Sequence, residues 1–335
     1  MAQRWSGDLS PALNAVGSVP VAGSGMAVQA VAMELPGLQG RMSWAYLLED
    51  ADSGVHLIDC GADSKWNRAE LRTALAAGRR TIVDIASVTA RHIHYDHVGM
   101  AVWLRRESGA RVQMHRRGAS AMREGTTYGG PEAESMVERW GVPAGRLDEV
   151  MAAAHRLVAS GEPVHVDVAL EDGDLLDVPG WDLAVLATPG HTPGHLCVVH
   201  AASANAFVGD HVLPRQNPGA GLGGPTAENP VDAYIESIDR LAELRLRRLL
   251  PGHRAVIVEP DDRLAAIRDH HLRRRRQVLQ AAATADTVWE AATRVGWSRG
   301  WDGLSGVLLF SGLHQVESYL TATVEDTTEP GEECA

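Results

Sequence analysis

Four side chains able to bind a metal stand within six residues, at His92-Ile93-His94-Tyr95-Asp96-His97. Neutral imidazole and carboxylate are donors that Zn²⁺, Mn²⁺ and Fe²⁺ accept. His92 and His94 are two apart, as are His94 and Asp96. At a junction between strand and helix, that spacing aims side chains into one cavity rather than along one helix face. A lone histidine is ordinarily a core or surface residue. Four such side chains followed by Val98-Gly99 are hard to explain by packing.

Three more sites share their character. His191 lies in Thr188-Pro189-Gly190-His191-Thr192-Pro193-Gly194-His195, Asp210 in Val208-Gly209-Asp210-His211, and His253 in Pro251-Gly252-His253. Each follows an apolar stretch and a glycine, which lets the backbone turn sharply toward a common centre. Together they give two ligand sets bridged by one carboxylate.

The elements that must carry these residues can be read from periodicity. Met42 to Leu48 and Val55 to Asp59 read as strands joined by a hairpin, and Trp66 to Ala77 as a helix. Ile82 to Val88 reads as the strand that delivers the histidine cluster, and His97 to Arg106 as the helix after it. Val112 to His115 is a further strand. A helical pattern then runs from 116 to about 160, interrupted at Tyr128-Gly129-Gly130-Pro131 and at Gly141-Val142-Pro143. Strands resume at His165 to Leu170, Trp181 to Ala187, Leu196 to His200 and Ala206 to Val208. A Gly/Pro-rich loop covers 214–230, and Val231 to Glu243 is a helix. Strands and helices alternate with polar residues at strand ends, an α/β arrangement in which loops carry the chemistry.

In order, spacing and local context, these motifs resemble the metallo-β-lactamase-fold hydrolase superfamily over roughly residues 25–258. The resemblance implies an αββα sandwich with a dinuclear metal site at one edge. It implies that His92, His94 and His191 bind a first metal, that Asp96, His97 and His253 bind a second, and that Asp210 bridges. Two such ions can activate a bridging water near neutral pH and polarise a carbonyl or phosphoryl oxygen. Asp96 is the candidate for handling the proton of that reaction. Zinc is the expected metal on family frequency, with iron and manganese accepting the same donors. The family commonly has Thr or Ser before the first His, whereas this chain has Arg91. Asp59 resembles an acidic residue that steadies a ligand His, or else caps a turn. His195 is expected beside the ligands or at the surface, and His211 in packing.

The 335 residues suffice for one large domain and a small one. A net charge of −12 disfavours binding nucleic acid mainly through phosphates. Cys60, Cys197 and Cys334 are too few for a disulfide framework. There is no apolar run of the ~18 residues that suggest a membrane span, so the expectation is a cytoplasmic protein away from membranes. A homodimer is compatible with the sequence, which leaves oligomeric state open.

The expected divisions are a loose lead-in over 1–25, a catalytic domain over 26–258, a C-terminal helical segment over 259–324 and an acidic tail over 325–335. Asp261 to Ala283, Thr287 to Val295 and Leu304 to Leu320 read as helices and resemble the small winged-helix-like domain of one branch of the superfamily. In that branch a His near the start of the long helix faces the substrate; His270 and His271 both stand there, and spacing does not choose between them. The run Arg273 to Arg276 reads as a solvated helix face. Tyr128, Trp140, Met122 and Met136 are either pocket lining or core. The leading function is hydrolysis of a small-molecule thioester, ester or lactone. A metal-dependent endoribonuclease acting on single-stranded RNA is the alternative, and a non-catalytic scaffold a third that the intact ligand set opposes.

Overall fold

The structure is a computed structural model that describes residues 18–20, 27–36, 41–124, 130–156, 164–224 and 226–324. Tyr128, Cys334 and the acidic tail lie outside the described residues. The first sheet has seven strands in chain order: β1 (Ser18–Pro20), β2 (Ala27–Glu34), β3 (Met42–Glu49), β4 (Val55–Ile58), β5 (Ile85–Ala90), β6 (Arg111–His115) and β7 (Val168–Leu170). The second runs in the order β12 (Ile257–Val258), β11 (Arg248–Pro251), β10 (Asn205–Gly209), β9 (Leu196–His200) and β8 (Ala184–Ala187).

Side-chain alternation explains why two sheets stack with helices outside. On β3, Trp44, Tyr46 and Leu48 join Val185, Val198, Phe207 and Leu250 of the second sheet in one apolar layer. Ala45 and Leu47 face the other way, into a layer with Leu71 and Leu75 of α1 (Lys65–Ala77). A strand buried on both faces reads as a continuous apolar run, which is how Met42 to Leu48 looks. Past the short α2 (Tyr95–Val98), Trp103 and Leu104 of α3 (Ala101–Ser108) complete that outer layer, and Met122 of α4 (Arg116–Glu124) joins it.

The opposite outer layer covers the second sheet. Cys197, Val199, Ala206, Val208 and Leu249 of that sheet share one cluster with residues of α5 (Gly130–Trp140), α6 (Leu147–Arg156), α7 (Pro230–Glu243), α8 (Asp261–Ala282), α9 (Val288–Arg294) and α10 (Gly306–Thr321). The C-terminal helices are therefore continuous in packing with the sandwich. Described residues beyond Val258 form helices and no strand, so only the helical part of the winged-helix likeness is present there. No described helix is long and apolar enough to cross a membrane.

Three expected strands start later than periodicity suggests. Ile82–Asp84 is a 3₁₀ turn, because Asp84 accepts from both the Thr81 backbone and hydroxyl and closes a capping box. Strands begin at Val168 and Ala184 rather than at His165 and Trp181, whose neighbourhoods pair as loops. Within the lead-in, Ser18–Pro20 pairs antiparallel with β2 as an edge strand.

Candidate metal centre

Every candidate ligand stands just beyond the carboxyl end of a strand: His92, His94, Asp96 and His97 after β5, His191 after β8, Asp210 after β10 and His253 after β11. The sandwich thus gathers four separate chain segments at one edge. His92 Nε2 lies 3.0 Å from His94 Nδ1, which lies 3.3 Å from His191 Nε2. On the other side, His253 Nε2 lies 3.2 Å from Asp96 Oδ2 and 3.2 Å from Asp210 Oδ2. His97 Nε2 is 3.5 Å from both Asp96 Oδ2 and Asp210 Oδ1.

These residues form three overlapping sets whose donor atoms lie within 4.8 Å of one another: His92, His94, His191; Asp96, His97, His253; and His92, His97, Asp210. Asp210 therefore stands where the other two sets meet.

The outward nitrogens of four ligand rings each have a partner. His94 Nε2 donates to the Leu222 carbonyl and His191 Nδ1 to that of Gly219, both at 2.8 Å. His253 Nδ1 donates to Met42 O at 2.7 Å, and His97 Nδ1 to Asp59 Oδ2 at 2.5 Å. Such bonds fix the ring orientation and turn the other ring nitrogen toward the centre, where it offers a lone pair once it carries no proton. His97 Nε2 and Asp210 Oδ1 are buried with no hydrogen-bond partner. Buried donors and acceptors are rarely left so, and here they point at the shared centre. The residues fit divalent cations.

Charge is divided unevenly across the cluster. Burial pushes His92 well below its ordinary pKa and brings His191 down to about 4. Burial also opposes charge on His97, but Asp96, Asp59 and Asp210 outweigh it and hold that ring well above the ordinary value. His253 behaves likewise: burial lowers it, yet Asp210 and Asp96 raise it to about 10. Burial raises Asp96 and Asp210, and the neighbouring His97 and His253 more than reverse this. The half that holds His92 and His191 favours neutral imidazole; the other half is protonated imidazole among carboxylates.

Arg91 was legible only as a departure from a familiar motif, and the structure shows its task. It is fully buried, and its Nη2 and Nε donate to Asp59 Oδ2 at 2.6 and 2.9 Å. Its backbone N–H donates to Asp59 Oδ1 at 2.8 Å. Burial opposes ionisation of Asp59, and Arg91 followed by His97 overcomes it. A salt-bridged carboxylate thereby receives the His97 proton donor.

The remaining candidates separate clearly. His195 is buried behind His92, with ring centroids 5.2 Å apart, and its Nδ1 meets Thr188 Oγ1 at 2.8 Å. His211 stacks on Tyr234 at 4.2 Å. His271 is buried, with Nδ1 2.7 Å from Tyr319 Oη, whereas His270 is half-buried. Met122, Met136 and Trp140 are core residues.

The arginine run does not form one face. Arg274 lies over the Trp297 ring and donates to Gly296 O, Arg275 donates to Ala322 O, and Arg273 faces Asp269 at 4.0 Å. The sequence signals for Leu222, Gly219 and Met42 carbonyls were absent, since any residue supplies a carbonyl. Gly252 could have been read as a close approach. A Cβ there would lie against Asp210 Oδ1 and 2.6 Å from His97 Cε1.

An αββα sandwich carrying a His/Asp cluster at one edge defines a metal-binding fold class. The chain belongs to the metallo-beta-lactamase superfamily, whose profile matches residues 38–253. It is similar to a solved metallo-beta-lactamase family protein from Thermus thermophilus, at 25% identity over 88% of this chain and 91% of that one, with a TM-score of 0.70. Among curated proteins it is 33% identical over 110 residues to an atrochrysone carboxyl ACP thioesterase of Aspergillus chevalieri, covering 33% of each chain. It is 28% identical over 160 residues to a hydroxyacylglutathione hydrolase of Ectopseudomonas mendocina, covering 48% of this chain and 43% of that one. The chain spans a third to under half of these curated relatives' length.

Proposed function

We propose that the protein is a dinuclear metal-dependent hydrolase of a small-molecule thioester, ester or lactone. His92, His94 and His191 would hold one ion and Asp96, His97 and His253 the other, with Asp210 placed between the two sets. The observation that carries this reading is the orientation of the ligand rings. Four are pinned from outside by three carbonyls and Asp59, while His97 Nε2 and Asp210 Oδ1 are buried without a hydrogen bond, 3.5 Å from each other across the centre.

When bound, a pair of divalent ions supplies an activated water and polarises the scissile carbonyl. The chain's own residues do the rest. Burial of His92 and His191 keeps their half of the centre free of competing protons. The Asp96 side chain, 21% exposed, is reachable from solvent and serves to take a proton from the attacking water and pass it to the leaving group. Zinc suits the imidazole-rich donor set, as iron and manganese also do. The thioesterase and hydrolase names of the relatives support an acyl substrate, and the dispersed arginines of α8 give the RNA reading no platform.

The test is elemental analysis together with turnover on acyl-thioester and lactone panels. Two metal equivalents and measurable turnover are expected. Asp96→Ala should keep the far-ultraviolet spectrum of the parent and lose about 10²–10⁴-fold in rate, the usual worth of a positioned proton carrier. A fully loaded sample inactive across both panels, or an Asp96→Ala variant of unchanged rate, would sink the proposal.

A further inference from the structure

Residues 213–224 cross the His92, His94, His191 half of the centre without forming helix or strand. The strap includes Pro214 and Pro218 and the glycines at 219, 221, 223 and 224. Its Gly219 and Leu222 carbonyls take the outward protons of His191 and His94. In return, Gly221 N donates to Gly190 O and Leu222 N to His191 O, both at 2.8 Å. Two ligand tautomers therefore depend on the register of a segment with no regular structure of its own.

The C-terminal helices grip that segment at both ends. Arg263, in the first turn of α8, donates Nε to Leu213 O at 2.7 Å and Nη2 to Asn217 Oδ1 at 3.0 Å, and also to Gln216 O. Further on, His314 of α10 lies so near Gly221 that a Cβ there would collide with its Cε1. Beyond the strap, Asn229 Nδ2 donates to Ser318 O at 2.8 Å and Thr321 Oγ1 at 2.9 Å.

We infer that Arg263 is a positioning residue for the first metal: from outside the catalytic sheets it holds the strap in the register at which Gly219 and Leu222 set the tautomers of His191 and His94. This rests on the metal reading above. A planar guanidinium can serve three acceptors at once in a fixed fork, which a lysine ammonium on a flexible stem cannot. Without it, the backbone of residues 213–217 is no longer fixed by a side chain from α8 and regains conformational freedom. The two carbonyls are then no longer held against the rings.

The experiment measures stepwise Zn²⁺ affinities by competition with a chromophoric chelator, in the full chain and in an Asp96→Ala background that weakens the second set and so separates the three-histidine step from it. Imidazole ¹⁵N shifts report the tautomers. Arg263→Gln should weaken the three-histidine step about tenfold, the lower end for losing an orienting partner, and introduce tautomer exchange at His94 and His191. Arg263→Lys should do so less. Arg268→Gln removes the 2.9 Å bond from α8 to Asp239 without touching the strap, and should leave the step unchanged. Should Arg263→Gln not fold, Asn217→Ala removes one gripped group at an exposed position and reads the same step. Equal affinities and tautomers in wild type and variants overturn the inference, as does equal weakening in Arg268→Gln. A wild-type chain that takes up no zinc overturns the metal reading, and the inference with it.

Discussion

At the residue scale, the centre is governed by which groups keep protons. In the metal-free protein His253 carries one up to pH about 10, against an ordinary 6.5, because Asp210 and Asp96 outweigh the burial that opposes it. A raised histidine pKa means stability present in full below 6.5 and lost as pH rises through about 10. Denaturant midpoints of the metal-free protein should therefore fall over that window. An ion at Asp96, His97 and His253 must displace the same proton, so its affinity should weaken about tenfold per pH unit of acidification for each proton released. Calorimetric titration in buffers of different ionisation enthalpy counts those protons, and zero release would contradict the assignment. Arg91→Ala strands Asp59 as a buried charge with one partner fewer. It should cost about 3–5 kcal/mol, as breaking one side of a buried pair does, read from chemical denaturation. A loss below about 1 kcal/mol would mean that Asp59 has become neutral or hydrated.

At the element scale, the end of β11 comes so close to two ligands that the backbone at Gly252 has no room for a side chain. Gly252→Ala places a methyl against Asp210 Oδ1 and 2.6 Å from His97 Cε1, so the carboxylate or the ring must move. The variant should fold with sheets intact yet bind fewer than two metal equivalents; full loading by elemental analysis would show that β11 yields. Geometry of this kind is invisible in the sequence, where Pro251-Gly252-His253 stood out as a motif after an apolar stretch but nothing said what faced the glycine. Periodicity also overextended β5, because Ile82 and Val83 are as apolar as a strand while Asp84 folds back to cap Thr81.

At the scale of the whole molecule, the C-terminal helices and the second sheet share one apolar cluster, with Phe310 packed edge-on to Trp140 at 5.3 Å and Leu313 fully buried. Common burial of this kind predicts one cooperative transition. Phe310→Ala should lower stability by about 3–5 kcal/mol and shift metal release and tryptophan fluorescence by the same amount. Two separate transitions would show that the helices unfold independently of the centre.

The seven candidate ligands stood out in the sequence because metal chemistry admits few side chains, and the αββα architecture followed from the family resemblance that their motifs carry rather than from periodicity. Asp59 was legible as an acidic residue of two meanings, and His270 and His271 as an unresolved pair. Only tertiary structure turned His271 toward Tyr319, set Arg91 against Asp59, and laid the carbonyls of Met42, Gly219 and Leu222 on three ligand rings. The physical reason is that a side chain announces its chemistry locally. A carbonyl is common to every residue, and a partner 128 positions away, as Leu222 is from His94, is chosen by the fold alone.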